Sequence, residues 1–234
     1  MRLGSLGTGP SSGTAVHSTL GAGRYSVTEL GDNPDEQVAR TMRRMGELAT
    51  ADATDPIFQA FAARTFAGVD PTDKLAIAER AFDTVRGAIT FQRDEVSGAG
   101  VAGIDPGDVI EFIVRPIDMA RYIDQGIAIG DCDDFSMLLA CLLATQGIPS
   151  KFCTVAADDR APDQFSHVYV VCYIDGQRIP LDSSHAHIVG GFGREVPNKH
   201  GKRQEWSADG GCSLISLGMI AAAAYIGWKA LEAA

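Results

Sequence analysis

The sequence lacks an excess of positive charge. Its 234 residues carry 20 lysines and arginines against 30 aspartates and glutamates, a formal net charge of −10. Proteins that bind nucleic acid through its phosphates present basic stripes or patches. The sequence contains no such stripe, and we therefore expect no nucleic-acid partner.

CxxC pairs and a continuous apolar segment at the N-terminus are also missing. The five cysteines stand at positions 132, 141, 153, 172 and 212, an odd number without a CxxC pair. This spacing indicates neither a disulfide framework nor a zinc site. No cofactor motif is found, so we expect no cofactor and no metal. The N-terminus has no continuous apolar segment, so a secretory signal is not expected. We expect a reducing compartment or the interior of a virion.

Composition divides the chain into four segments. Residues 1–31 are rich in Gly, Ser and Thr without periodicity, which predicts a flexible arm. Residues 32–190 hold the periodic patterns and are the predicted core. Residues 191–211 are polar and Gly-rich, and we interpret them as a linker. Residues 212–234 predict an apolar helix that falls just short of a membrane span. Three roles stay open for it: packing on this domain or on a partner protein, contact with a membrane, or removal by proteolysis.

Several helices are predicted by their starts. An Asn or Asp followed by Pro supplies an N-cap and a preorganised first helical position. Such pairs occur at Asn33-Pro34, Asp55-Pro56 and Asp70-Pro71, and Pro116 predicts a further short helix. The apolar stripe predicted for the third helix contains Leu75, Ala78, Phe82 and Val85.

A buried helix is predicted within "IAIGDCDDFSMLLACLLATQGIP", from Cys132 to about Gln146. Asp131 is its expected N-cap, and Asp134 has the spacing of a reciprocal capping box. Apolar residues cover nearly the whole circumference, which is typical of a helix at the centre of a core.

After this helix, apolar residues recur at every second position, the spacing typical of a strand. "SKFCTVAA" predicts one strand, and "HVYVVCYI" and "QRIPLDSS" predict two more, joined by the hairpin signal Asp175-Gly176. Helices followed by an antiparallel sheet around a buried helix predict an α+β fold.

Cys132 combines two opposing influences. A helix N-terminus favours the thiolate, whereas the neighbouring carboxylates of Asp131, Asp133 and Asp134 oppose it. Ionisation near neutral pH therefore requires a cationic neighbour. These carboxylates lack the alternating ligands and glycine of a calcium loop, so a cation site is not favoured. The thiols at 141, 153 and 172 are expected in the core.

The hairpin register supplies a candidate cation. With a two-residue loop at Asp175-Gly176, Tyr169 faces Asp182, and His167 lies two residues along on the same face. His167 and Asp182 are then diagonal neighbours, with backbones about 7–8 Å apart.

A cysteine at a helix start and a histidine oriented by an aspartate make a nucleophilic acyl-transfer apparatus. Asp182 would orient His167, His167 would take the thiol proton, and Cys132 would attack a carbonyl to form a thioester. The backbone N–H of Cys132 would hold the oxyanion. Gln125, shortly upstream, is the candidate for a second donor.

These segments resemble a known family. "GDCDDFSMLLACLLATQGIPSKF", "SHVYVV" and "IPLDSS" are similar to the transglutaminase-like cysteine hydrolase core of the papain-like superfamily. Its helix-capping Cys, strand His and following strand Asp are matched by Cys132, His167 and Asp182. The resemblance covers about residues 71–190, and the DCDD variant is similar to forms common in bacteria and their phages. Ile127 to Ile129 depart from the family, which often has an aromatic donor there.

The resemblance implies a papain-like core with N-terminal helices in residues 32–190, and thiol acyl-transfer on a protein or peptide substrate. Three functions stay open at this point. The first is hydrolysis of peptide or isopeptide amides, and the second is transfer to an amine, which cross-links proteins. The third is a structural or assembly protein, for example in a phage particle, that carries the core in a supporting role.

Overall fold

The computed structural model describes residues 11–17, 21–27, 33–94, 112–184 and 190–209. Its helices are α1 (Pro34–Ala53), α2 (Pro56–Thr65), α3 (Lys74–Ala88), α4 (Pro116–Gln125) and α5 (Cys132–Thr145). Its strands are β1 (Ser11–His17), β2 (Gly21–Val27), β3 (Thr90–Phe91), β4 (Ile129–Gly130), β5 (Ser150–Val155), β6 (His167–Ile174), β7 (Gln177–Leu181) and β8 (Arg203–Ser207).

The architecture is α+β, as the sequence predicts. A four-stranded antiparallel sheet has the order β7-β6-β5-β8. The helix α5 packs against β5 and β6 and also contacts α1, α3 and α4. Every residue from Asp133 to Leu143 in α5 is buried, which confirms the prediction of a central helix.

Two helix starts are confirmed in detail. The side chain of Asn33 accepts from the backbone N–H of Asp35 at 3.0 Å and caps α1. Asp55 caps α2 by accepting from the N–H of Ile57 at 2.8 Å. In both helices Pro occupies the first position, where its missing N–H costs no hydrogen bond.

The predicted start of α3 is wrong by one turn. Asp73, not Asp70, caps the helix by accepting from the N–H of Ala76 at 2.9 Å. Asp70 instead accepts from the N–H and hydroxyl of Thr72 and closes the preceding turn. Asp70 and Asp73 are three residues apart, and either could cap a helix. Asp70 bonds within the preceding turn, which leaves Asp73 as the cap. Of the predicted stripe, Ala78, Phe82 and Val85 are buried, whereas Leu75 lies on the surface, 48% exposed.

The predicted hairpin register is confirmed. Asp175 and Gly176 have φ angles of 50° and 79°, the left-handed pair that a two-residue hairpin loop requires. Ile174 faces Gln177, and Val170 faces Leu181. The ladder ends at Leu181, so Asp182 is the first residue beyond β7.

The segment interpreted as a linker contains part of the sheet. Strand β8 pairs with β5 at the sheet edge. Glu205 of β8 accepts hydrogen bonds from Tyr173, Arg178 and Lys151. Burial raises the pKa of Glu205, but these bonds outweigh it and lower the pKa to about 2. The prediction missed β8 because polar contacts anchor it and its sequence, RQEWS, has no apolar alternation.

The N-terminal segment also differs from expectation. Strands β1 and β2 pair antiparallel within residues 11–27, where the sequence predicted no regular structure. Main-chain hydrogen bonds join such strands and require no apolar period. In the part of the chain described, no helix is both long and apolar enough to cross a membrane. The predicted helix at 212–234 and Cys212 lie outside the described residues.

Candidate active site

Cys132 is the first residue of α5 and is partly exposed, whereas the residues after it are buried. The Asp131 side chain accepts from the N–H of Asp133 at 3.2 Å. The N–H of Asp131 donates to Asp134 Oδ2 at 3.4 Å. The predicted capping box is thus confirmed, and it places Cys132 where the helix N–H groups point outward.

Asp134 has a second role in the structure. Its Oδ1 accepts from the N–H of Val114 at 2.8 Å, which ties the chain before α4 to the start of α5. The same carboxylate lies against Gly130, where an added Cβ would lie 2.6 Å from Asp134 Oδ2. The residue before Asp131 must therefore be glycine for the capping box to close.

Asp133 is buried, with 2% of its surface exposed. Its Oδ1 accepts from the N–H of Asp134 at 2.8 Å, and its Oδ2 is without a hydrogen-bond partner among the described residues. Burial, followed by the negative charges of Asp131 and Asp134, raises its pKa well above the ordinary value. Asp133 therefore stays neutral over a wider pH range, so the thiol faces less negative charge than the sequence suggests.

A set of three carboxylates lies beside the capping box. One oxygen each from Asp94, Asp131 and Asp134 lies within 4.8 Å of the others, a spacing that could hold a cation. Asp94 also accepts from the N–H of Phe112 at 2.6 Å, much as Asp134 accepts from Val114. These bonds hold residues 112–114 against the start of α5. The contacts of Asp94 and Asp134 therefore indicate a structural role for the two carboxylates.

His167 and Asp182 are in contact. The distance between His167 Nε2 and Asp182 Oδ2 is 3.3 Å, and each side chain is 1% exposed. The two atoms are not aligned as a hydrogen bond, and catalytic hydrogen bonds are often loose before substrate binds. Because Nε2 faces the carboxylate, Nδ1 is the ring nitrogen left for a thiol.

Asp182 is held from several directions. The hydroxyl of Ser184 donates to Asp182 Oδ1 at 2.9 Å, and Arg86 donates to the Asp182 carbonyl at 3.3 Å. The backbone of Gly190 passes so close that an added Cβ would lie 2.4 Å from Asp182 Oδ2. The carboxylate is thereby fixed on the side facing His167.

An aromatic ring supports His167. The rings of His167 and Tyr169 are stacked, with centroids 6.2 Å apart and planes inclined by 20°. The Tyr169 hydroxyl donates to Glu195 and accepts from the Cys153 thiol at 3.2 Å. Tyr169 is thus anchored at its far end and limits rotation of the imidazole.

One hydroxyl connects the start of α5 to the start of β6. Ser136 Oγ lies 2.6 Å from the carbonyl oxygen of Cys132 and 3.2 Å from that of Val168. Val168 directly follows His167, so the cysteine and histidine elements are joined next to both residues. Contact between the Cys132 thiol and the His167 ring stays a prediction.

The other predicted residues take different places. Gln125 is the last residue of α4, and its side chain is exposed to solvent. The structure therefore does not support the prediction that it is the second oxyanion donor. Cys141, Cys153 and Cys172 are fully buried, as expected of core residues. Burial raises the pKa of all three thiols, that of Cys172 to about 11.

No protein-family model and no curated protein matches the chain. Among solved structures, the chain is similar to a protein from Cytophaga hutchinsonii that is provisionally described as a cysteine protease. The identity is 16% and the TM-score 0.41, over 80% of this chain and 59% of that one. It is also similar to a protein from Parabacteroides distasonis, provisionally described as a protease, with 12% identity and a TM-score of 0.42. That match covers 82% of this chain and 42% of the other. The chain thus spans less than two thirds of either protein, and likeness at this level does not establish an activity.

Proposed function

We propose that the protein is a cysteine-dependent hydrolase that cleaves peptide or isopeptide amides through a thioester on Cys132. The observation that carries the proposal is the buried contact between His167 and Asp182 at 3.3 Å. The proposal is also supported by Ser136, whose Oγ lies within hydrogen-bond distance of the carbonyl oxygens of Cys132 and of Val168, the residue after His167. A nucleophile, a base and an orienting carboxylate are the parts that such chemistry needs.

In the proposed reaction, His167 Nδ1 takes the proton of the Cys132 thiol, and the thiolate adds to the substrate carbonyl. The outward N–H of Cys132 at the helix start donates to the oxyanion. The C–N bond then breaks, the amine leaves with the proton from His167, and a thioester remains. Water, deprotonated by His167, hydrolyses the thioester and restores the thiol.

Asp182 stabilises the imidazolium that this cycle forms twice. Its Oδ2 faces Nε2, and Ser184 bonds to its other oxygen. In a buried site a carboxylate interacts with a cation more strongly than in water. The neutral form of Asp133 complements this arrangement, because it limits the negative charge that opposes the thiolate.

The test is the reaction of Cys132 with iodoacetamide as a function of pH, with adducts mapped by mass spectrometry. An ion pair predicts that Cys132 reacts below pH 7 faster than Cys212, and that His167→Ala removes this advantage. Equal reactivity of the two thiols below pH 7 would contradict the proposal.

A second measurement distinguishes hydrolysis from transfer to an amine. The protein is incubated with candidate peptides, with and without a primary amine, and examined for an acyl adduct on Cys132. Because both reactions share the thioester, only the product differs, an acid in one case and a new amide in the other.

A further inference from the structure

An open groove adjoins the candidate active site along the end of α3 and strand β3. It is lined by Asp83, Arg86, Gly87, Ile89, Thr90 and Phe91. At one end, Arg86 donates to the carbonyl of Asp182 at 3.3 Å. At the other, Phe91 pairs with Gly130, two residues before Cys132. The groove therefore adjoins the aspartate end of the site, and β3 separates it from β4, the strand that leads to Cys132.

Strand β3 presents one edge to this groove. The N–H of Thr90 donates to Ala128 at 3.0 Å, and that of Gln92 donates to Gly130 at 2.8 Å. In a parallel pair the residue between two such donors directs its own N–H and C=O to the opposite edge. Phe91 is that residue. Within the described part of the chain, β3 pairs with β4 alone.

We infer that this groove binds an extended segment of a polypeptide substrate, which adds to β3 as a further strand. The inference rests on the proposed function and deepens it by naming where the main chain of the substrate binds. Addition of a strand to a sheet edge is a recurrent mode of peptide recognition, in which main-chain hydrogen bonds supply the affinity. The edge at Phe91 offers one donor and one acceptor, and the same groove is lined by Arg86, which donates to the carbonyl of Asp182.

Gly87 offers a way to block the groove without rebuilding the site. A Cβ placed on Gly87 meets nothing within 4 Å, so Gly87→Trp directs its side chain into open space. Ala60 is the matched control, since it is exposed on a helix and lines a separate groove between α2 and α4. Ala60→Trp adds the same bulk away from β3.

The probes are chloromethyl ketones, which lose chloride when the Cys132 thiolate forms a thioether with their methylene carbon. One is chloroacetone, which has no peptide. The others are acetyl-Ala-Ala-Val-X chloromethyl ketones, with X as Gly, Ala, Leu or Gln, each also made with N-methylated main-chain amides. Rates are measured by mass spectrometry of the Cys132 peptide.

Two main-chain hydrogen bonds correspond to about a tenfold rate advantage for the best peptide over chloroacetone. We expect Gly87→Trp and N-methylation each to reduce the ratio of the peptide rate to the chloroacetone rate to about one. Ala60→Trp should leave that ratio unchanged. If Cys132 reacts with chloroacetone but no peptide is faster, or if Gly87→Trp keeps the ratio, the groove inference fails and the proposed function stands. If Cys132 reacts with neither reagent faster than an unfolded thiol, the proposed function fails and the inference with it.

Discussion

His167 Nε2 lies 3.3 Å from Asp182 Oδ2, with both side chains withdrawn from water. The chain contains a second contact of this type, 3.1 Å between His200 Nε2 and Asp159 Oδ1, where the side chains are 22% and 72% exposed. The two contacts are similar in distance and differ in burial. Because burial strengthens the interaction of a carboxylate with its partner, the first contact is the better placed to orient an imidazole.

Asp182→Asn should therefore slow the reaction of Cys132 with iodoacetamide at pH 6. General-base assistance contributes about 10²-fold or more, and the amide cannot stabilise the imidazolium. Asp159→Asn removes the exposed contact and should leave the rate unchanged. Equal rates for Asp182→Asn and the unaltered protein would remove Asp182 from the mechanism.

Gly190→Ala should damage the site through Asp182. The new Cβ would lie 2.4 Å from Asp182 Oδ2, so the carboxylate must move away from His167. Overpacking of this kind costs about 1–3 kcal/mol, and we expect a lower melting temperature together with slower Cys132 labelling.

Gly191→Ala is the matched control for this change. Its added Cβ would meet Arg194 at 3.7 Å, an ordinary contact with a flexible side chain. The two variants differ by one position and should differ clearly in labelling rate. Indistinguishable variants would show that the close approach of Gly190 to Asp182 is not required.

Local chemistry made much of the site predictable. The Asp175-Gly176 loop defines the hairpin register, and that register by itself places His167 near Asp182. The spacing of Asp131 and Asp134 likewise predicts the capping box. In each case the decisive interactions join residues that are close in sequence or related by a two-residue loop.

The supporting contacts could not be predicted, because they join distant segments. Arg86 reaches Asp182 from α3, and Gly190 approaches it from the segment between β7 and β8. No sequence period marks either residue. The prediction of where α3 begins was wrong for a different reason. Asp70 and Asp73 can each cap a helix, and the sequence does not show which of them bonds within the preceding turn.

Ser136→Ala should loosen the connection between α5 and β6. The single proton of this hydroxyl is shared between the carbonyls of Cys132 and Val168, and losing a buried hydrogen bond costs about 1 kcal/mol. We expect a small loss of stability but a disproportionate fall in Cys132 labelling at pH 6. Thr145→Val removes a hydroxyl that bonds to Leu142 at the other end of α5. If both variants slow labelling equally, the Ser136 bridge has no special role.

Glu205→Gln should alter the acid side of the stability profile. The pKa of Glu205 is lowered to about 2, from an ordinary value of 4.5, because bonds from Tyr173, Arg178 and Lys151 outweigh burial. Its carboxylate therefore stabilises the fold above pH 4.5, and that contribution disappears as the pH falls toward 2. Urea unfolding should show the variant less stable at pH 7, with a difference that narrows in acid. A difference that does not change with pH would contradict the role of the charge.

Asp133→Asn should have the opposite pH dependence. Burial raises the pKa of Asp133 well above its ordinary value of 3.8, so the folded protein holds this proton at pH values where the unfolded chain has lost it. The resulting stability is complete below pH 3.8 and declines as the pH rises toward the folded pKa, by at most about 1.4 kcal/mol per pH unit. Asparagine has no proton to lose and still offers an oxygen to the N–H of Asp134. The variant should therefore gain stability relative to the unaltered protein as the pH rises above 3.8, measured by urea unfolding. Asp163→Asn, at an exposed position, should show no such trend, and parallel profiles for Asp133→Asn and the unaltered protein would mean that Asp133 is charged in the fold.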